Sequence, residues 1–462
     1  MDDALLAAAV TRHLGGGATV ENLRRLSGGA SRETWSFDAV VGGERTGLVL
    51  RRDPAPAAAG PLDRSAEAEV IRAAHDAGVR APRVRFVLGT DDSLGSGFVM
   101  ERVDGETVAR RILRDDAYAE ARPRLAAQCA TQAARIHAVP TASLPDSLAT
   151  LGPREQLDQY RAVLDGVGEP HPAFELGLRR LARDAPETGT VTLVHGDFRN
   201  GNLVVGPEGL RAVLDWELAH LGDPIEDLGW LCVKSWRFGV SDRRVGGFGE
   251  VEELRAAYAD AGGQPVDPTR LAWWEALGTL KWGVICEMQA QAHLQGLIRS
   301  VELATLGRRI AEMEWDLLDL LDEGRGSAAP APAGTDRAAR TPSLQDRPSA
   351  AELVDAVREF LERDVQGAVD GRVAFHTRVA VNALGMVERE LALGPDLDAA
   401  ATKRLASFLG QDGDIETLVA ELAARIRAGG LDDDPEALAV TRDLVRAKLE
   451  VANPRYLPAG TP

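Results

Sequence analysis

Over the first 105 residues the hydrophobic pattern is short-ranged. Runs at 19–26, 34–40, 46–52, 83–88 and 97–102 are rich in β-branched or aromatic residues, and stretches such as SGG and VGG separate them. Alternation bounded by turn residues predicts five strands. Between the third and fourth, residues 65–77 place Val70, Ile71, Ala74 and Ala77 on one face and stop at Gly78, which predicts a helix.

From Asp115 the period lengthens. Leu125, Gln128, Cys129, Gln132 and Ile136 follow helical spacing, broken only by strand-like runs at 191–194, 203–205 and 211–214. Pro268 opens an amphipathic segment through Leu271, Trp274, Leu277, Leu280 and Val284, with proline at a helix start. Helices are expected at 350–365, 373–393, 397–409, 415–428 and 435–452. Residues 324–348 read GRGSAAPAPAGTDRAARTPSLQDRP, with Leu344 their only large aliphatic residue. Such a stretch cannot bury enough apolar surface to offset its ordering entropy, so it reads as a flexible linker.

Composition narrows the function classes. At 462 residues the chain is too long for one ordinary core. It carries 53 basic and 71 acidic residues, a net charge of −18. That surface repels phosphate backbones and anionic lipid, so neither nucleic acid nor a membrane is an expected partner. Residues 349–456 hold 13 basic and 20 acidic residues, so the acidity is not confined to one part. Cys129, Cys232 and Cys286 form no CxxC pair, which suits a reducing compartment. No window is apolar enough for a membrane helix, and the MDDALLAAAVTRHL start lacks a basic leader. The expected location is the cytoplasm.

The chemistry gathers in VTLVHGDFRNGNLVVGPEGLRAVLDWELAHLGDPIEDLGW, from Val191. His195, Asp197, Asn202 and Asp215 fall at strand ends. A hairpin would bring Asp197, Asn202 and Asp215 to one edge. Two carboxylates and a carboxamide there make a hard-oxygen site suited to Mg²⁺. Phosphoryl transfer asks for a metal to neutralise phosphate and a carboxylate to take the acceptor's proton. The Asp197-to-Asn202 step equals that of the protein-kinase HRDxxxxN loop, and Asp215 stands where DFG follows.

This pattern of HGDxxxxN, LDWE and GDPIEDLGW resembles the aminoglycoside phosphotransferase and choline kinase-like superfamily, most of all the kinase-like domains associated with acyl-CoA dehydrogenases. The resemblance implies an α+β, two-lobed protein-kinase-like fold. Its five-stranded antiparallel N-lobe would span 1–103 and its helical C-lobe 104–323. The linker and a separate all-helical domain (349–462) would follow. The latter, with FHTRVAVNAL, ARIRAGG and NPRY, resembles a small domain of undefined function; a protein partner could dock there.

The resemblance also implies site roles. Asp197 is the catalytic base, His195 orients its loop, and Asn202 and Asp215 hold Mg²⁺. Asp223 and Asp227 brace the GDPIED stretch; Glu217 has no clear role. ATP would lie under Ser27, Gly28, Gly29 and Ser31, a glycine loop that lacks a full GxGxxG. Arg51 stands where most relatives carry lysine, with Glu67 as its partner and Glu69 as competitor. The adenine would meet the backbone near Glu101 and Val103. Lys234, Trp236 and Arg237 are candidates for an anionic acceptor. The expected activity is transfer of phosphate from ATP to a small-molecule hydroxyl, with a hydroxyacyl-CoA as the first candidate. A cationic aminoglycoside, a non-catalytic nucleotide-binding scaffold and a metal hydrolase are the alternatives.

Overall fold

The computed structural model describes residues 1–26, 33–53, 62–187, 189–322 and 349–458. Ser27, Gly28, Gly29 and Ser31 lie outside the described residues, as does the 324–348 linker.

Helix α1 (Asp3–Leu14) opens the chain, with the Asp2 carboxylate accepting from the Ala4 N–H at 2.9 Å. Strands β1 (Thr19–Arg25), β2 (Glu33–Val41), β3 (Glu44–Asp53), β4 (Val84–Val87) and β5 (Ser96–Glu101) form the expected antiparallel sheet, in the order β1-β2-β3-β5-β4. Helix α2 (Arg64–Asp76) lies between β3 and β4 in sequence, capped by Asp63. Leu6, Ala9 and Val10 of α1 share a core with Phe37, Leu48, Leu50 and Val99 of the sheet. The hydrophobic pattern does not single out α1: four of its twelve residues are alanine, which gives little amphipathic contrast.

The remainder is mainly helical. In chain order come α3 (Ala109–Arg114), α4 (Arg122–His137), β6 (Thr150–Leu151), α5 (Pro153–Val167) and α6 (Pro172–Arg183). Then follow β7 (Thr192–Val194), β8 (Leu203–Gly206), β9 (Gly209–Val213) and β10 (His220–Gly222). Strands β8 and β9 form the expected hairpin. The short β6 and β10 join β7 in a three-stranded sheet, too brief to leave a pattern in the sequence. Helices α7 (Ile225–Cys232), α8 (Val251–Asp260), α9 (Pro268–Leu294) and α10 (Val301–Asp322) complete this region. Among the described residues no helix is long and apolar enough to cross a membrane.

The C-terminal region is helical, as expected: α11 (Ala350–Phe360) with a π-helical turn after it, α12 (Gly371–Leu409), α13 (Ile415–Arg427) and α14 (Pro435–Ala452). One expectation fails. The helices expected at 373–393 and 397–409 are a single helix that runs through Pro395. An interior proline removes one backbone hydrogen bond and costs about 3 kcal/mol. Packing of α12 against α11, α13 and α14 offsets that cost.

Two compact units emerge. One comprises Met1–Gln156 and Pro186–Gly278, the other Leu157–Ala185 and Thr279–Pro462. In the second, Leu176 of α6 and Trp315 and Leu318 of α10 share one core with Leu405, Leu409, Leu418, Leu422, Ile426, Val440 and Leu444 of the C-terminal helices.

Candidate active site

The apolar strand β7 ends at His195, and Gly196 turns the chain with φ +78°. A Cβ at Gly196 would overlap the Leu218 carbonyl oxygen. The buried Asp227 carboxylate accepts the backbone N–H groups of His195 at 2.8 Å and Gly196 at 3.0 Å. It also accepts from His137 Nε2 at 3.1 Å, while Tyr258 donates to His137 Nδ1 at 2.7 Å. Burial alone would raise the Asp227 carboxyl. His137 and the His195 amide instead hold it below the ordinary carboxylate range.

His195 is fully buried. Its Nε2 lies 3.1 Å from the Leu214 carbonyl, which can only accept, so Nε2 carries the proton. Nδ1 is then free to accept the Asp197 N–H at 3.2 Å. Burial pushes this imidazole toward its neutral form, which the arrangement requires. His195 thus ties the start of the loop to the end of β9.

The Asp197 side chain is held from three directions. Asn202 Nδ2 donates to Oδ2 at 2.6 Å; Arg199 Nε and Trp230 Nε1 donate to Oδ1 at 2.9 and 2.8 Å. The Arg199 guanidinium stacks 4.4 Å above the Trp236 ring. The Leu214 N–H donates to the Asn202 carbonyl at 2.8 Å, which brings Asn202 beside the strand leading to Asp215. Asp215 itself adopts φ +70°, a conformation that costs a non-glycine residue on the order of 1 kcal/mol and gathers at functional sites.

Arg51 of β3 reaches this edge. Its Nη2 lies 2.6 Å from Asp215 Oδ1 and 3.1 Å from Glu217 Oε2, and its Nη1 lies 3.5 Å from Glu67 Oε1. Burial would raise the Asp215 carboxyl, but the adjacent Arg51 charge holds it down. Glu67 is buried and Glu69 exposed, so Glu67 faces Arg51. Sequence reasoning missed Arg64. Although only 1% exposed, it pairs with Glu67 and, at 2.9 Å, with Asp53. Its place after the Asp63 cap carries no signal beyond an ordinary helix start.

The other candidates lie at the end of β5 and on the turn after α7. Glu101 lies at the end of β5, where its carboxylate meets Arg85 at 2.9 Å. Val103 lines an open cleft of about 500 Å³ with Arg80, Arg102, Asp104 and Leu210. Lys234, Trp236 and Arg237 form a 3₁₀ turn. Arg237 is not presented to an acceptor: it is buried, donating to the Cys232 carbonyl and, at 2.7 Å, to Glu275. A carboxylate 38 positions downstream cannot be anticipated from local spacing. Trp236 is buried and meets Trp230 edge-on. Asp223 accepts from the Ile225 N–H and from Trp274 Nε1, and pairs with Arg270.

An antiparallel five-stranded sheet with one helix, followed by a helical region carrying Asp197, Asn202 and Asp215 on adjacent loops, defines a protein-kinase-like phosphotransferase. The chain belongs to the phosphotransferase enzyme family, whose model matches residues 22–274. A second model, described only as a domain of unknown function, matches 367–456. Acyl-CoA dehydrogenase family member 10 of Mus musculus is 31% identical over 301 residues, 58% of this chain and 27% of that protein. Acyl-CoA dehydrogenase family member 11 of Gallus gallus is 32% identical over 225 residues, 45% and 27% of the respective lengths. The matches therefore span about a quarter of these relatives. Among solved structures, a candidate aminoglycoside phosphotransferase from Ralstonia eutropha superposes with TM-score 0.54 at 21% identity, covering 68% of this chain and 98% of that one. That likeness supports the fold.

Proposed function

We propose that the protein transfers the γ-phosphoryl group of ATP to the hydroxyl of a small molecule, with a hydroxyacyl-CoA as acceptor. The observation that carries this reading is the state of Asp197. Its Oδ1 accepts two hydrogen bonds and its Oδ2 only one, which leaves Oδ2 a lone pair for an incoming hydroxyl. Asp197 would accept that proton as the hydroxyl oxygen bonds to the γ-phosphorus and the bond to the β-phosphate oxygen breaks, releasing ADP.

The donor set fits Mg²⁺. Asp215, Asn202 and Glu217 offer hard oxygens, and Arg51 already stands against two of these carboxylates as a cation. Mg²⁺ when bound supplies neutralisation of phosphate charge. Arg51, anchored by Glu67, would hold phosphate oxygens in its planar fork. Asp227 and His195 keep the loop in place before substrate arrives, so catalysis rests on positioning. The likeness to acyl-CoA dehydrogenase family members supports the choice of acceptor. Three buried free cysteines favour the cytoplasm.

Mass spectrometry tests the proposal. Hydroxyacyl-CoA thioesters, plain alcohols and aminoglycosides are each incubated with ATP and Mg²⁺. A product about 80 Da heavier, one phosphoryl group, is expected from the thioester and not from the aminoglycosides. Asp197→Asn should lower the rate roughly 10²–10⁴-fold with the fold intact by circular dichroism. Equal rates for wild type and variant would overturn the enzyme reading; an aminoglycoside product alone would overturn the acceptor.

A further inference from the structure

A second cluster lies away from Asp197, within the unit formed by Leu157–Ala185 and Thr279–Pro462. His171 precedes α6, Glu169 stands two residues earlier, and Glu287 projects from α9. Ligand atoms of all three lie within 4.8 Å of one another. Glu169 is exposed; His171, at 9% exposure, and Glu287 are buried.

The histidine decides what this cluster can do. His171 Nδ1 lies 3.0 Å from Glu314 Oε1, a carboxylate 0% exposed and ionised through Lys448 at 2.9 Å. An ionised carboxylate only accepts, so Nδ1 carries a proton. Nε2, on the opposite side of the ring, is buried without a hydrogen-bond partner. It faces Glu287 Oε2 at 3.7 Å, beyond hydrogen-bond reach. Gln291 Nε2 donates to Oε1 of both Glu169 and Glu287, at 3.1 and 3.0 Å, and so draws two like charges together beside that nitrogen. A histidine whose other N–H is held by a carboxylate is the usual form of a metal-binding imidazole.

We propose that Glu169, His171 and Glu287 bind a divalent first-row transition metal of the Zn²⁺ type. One imidazole nitrogen and two carboxylate oxygens are a borderline donor set suited to such an ion. Water would complete the coordination from the exposed side at Glu169. Protein ligands to zinc sit at about 2.0–2.2 Å, so the side chains draw inward on binding, with Glu169 free to move furthest. Glu314 is a positioning residue that fixes the tautomer. The rival account makes His171 a doubly protonated partner of Glu287 and Glu314, leaving one N–H without an acceptor in hydrogen-bond range.

The test uses the full chain, stripped with chelator and desalted. Zn²⁺ binding is followed by calorimetry and metal analysis, and Co²⁺ binding by its visible absorption. One equivalent is expected at this site, with a raised Tm. His171→Gln and Glu287→Gln should abolish it, Glu169→Gln should weaken it at least tenfold, and Glu314→Gln should weaken it roughly 10–100-fold. Asp215→Asn should leave it unchanged, which separates it from the phosphotransfer site. Should His171→Gln fail to fold by circular dichroism, Glu287→Gln carries the test. Wild-type binding no stronger than that of these variants, or binding lost with Asp215→Asn instead, would overturn the proposal.

Discussion

Single side chains at the proposed phosphotransfer site act by bridging. Arg51 meets Asp215, Glu217 and Glu67 together through two guanidinium nitrogens held in one plane, where a lysine would offer a single nitrogen. Arg51→Lys should therefore lower kcat/KM for ATP roughly 10–100-fold in steady-state assays. A full recovery of activity would show that only charge matters there. Gly196 acts by what it lacks. Its φ of +78° and the nearby Leu218 carbonyl leave no room for a Cβ. Gly196→Ala should lower stability by about 2 kcal/mol or more, read from urea midpoints, and displace the Asp197 loop.

At the scale of elements, ionised carboxylates join helices. Glu314 of α10 meets His171 before α6 and Lys448 of α14. Burial opposes its ionisation, yet Lys448 and His171 hold its carboxyl at about 2, against an ordinary 4.5. Because the folded value is the lower one, this stability is complete above pH 4.5. It is lost as pH falls from there toward 2, by about 3 kcal/mol for this group. Denaturation followed between pH 6 and pH 2 should show a shallower fall for Glu314→Gln than for the wild type. Parallel curves would remove Glu314 from the account. The same elements show where local pattern suffices. Helix α14 begins at Pro435 and ends at Ala452, as its spacing predicts. In α12, local signals at Gly394-Pro395 argue for a break, and packing overrides them.

For the whole molecule the question is how its C-terminal helices are carried. They share a core with Leu176, Trp315 and Leu318, side chains that precede the 324–348 stretch. Burying a large apolar side chain is worth about 1.5–3 kcal/mol. A chain ended at residue 322 should therefore melt at lower temperature and bind hydrophobic dyes that the full chain does not. An unchanged Tm would mean that the C-terminal helices contribute nothing to that core.

The linear order of apolar and polar residues was enough for the five strands, the helix between the third and fourth, the β8–β9 hairpin and most C-terminal helices, because periods of 2 and 3.6 are local properties of the backbone. The spacing of Asp197, Asn202 and Asp215 likewise lay open to reading. Only the tertiary structure decided that Arg51 closes on Asp215 from 164 positions away, that Arg64 backs Glu67, that Arg237 pairs inside with Glu275, and that Glu169, His171 and Glu287 converge. Charged groups choose partners by distance through space and by shelter from water, and neither is written in the order of residues along the chain.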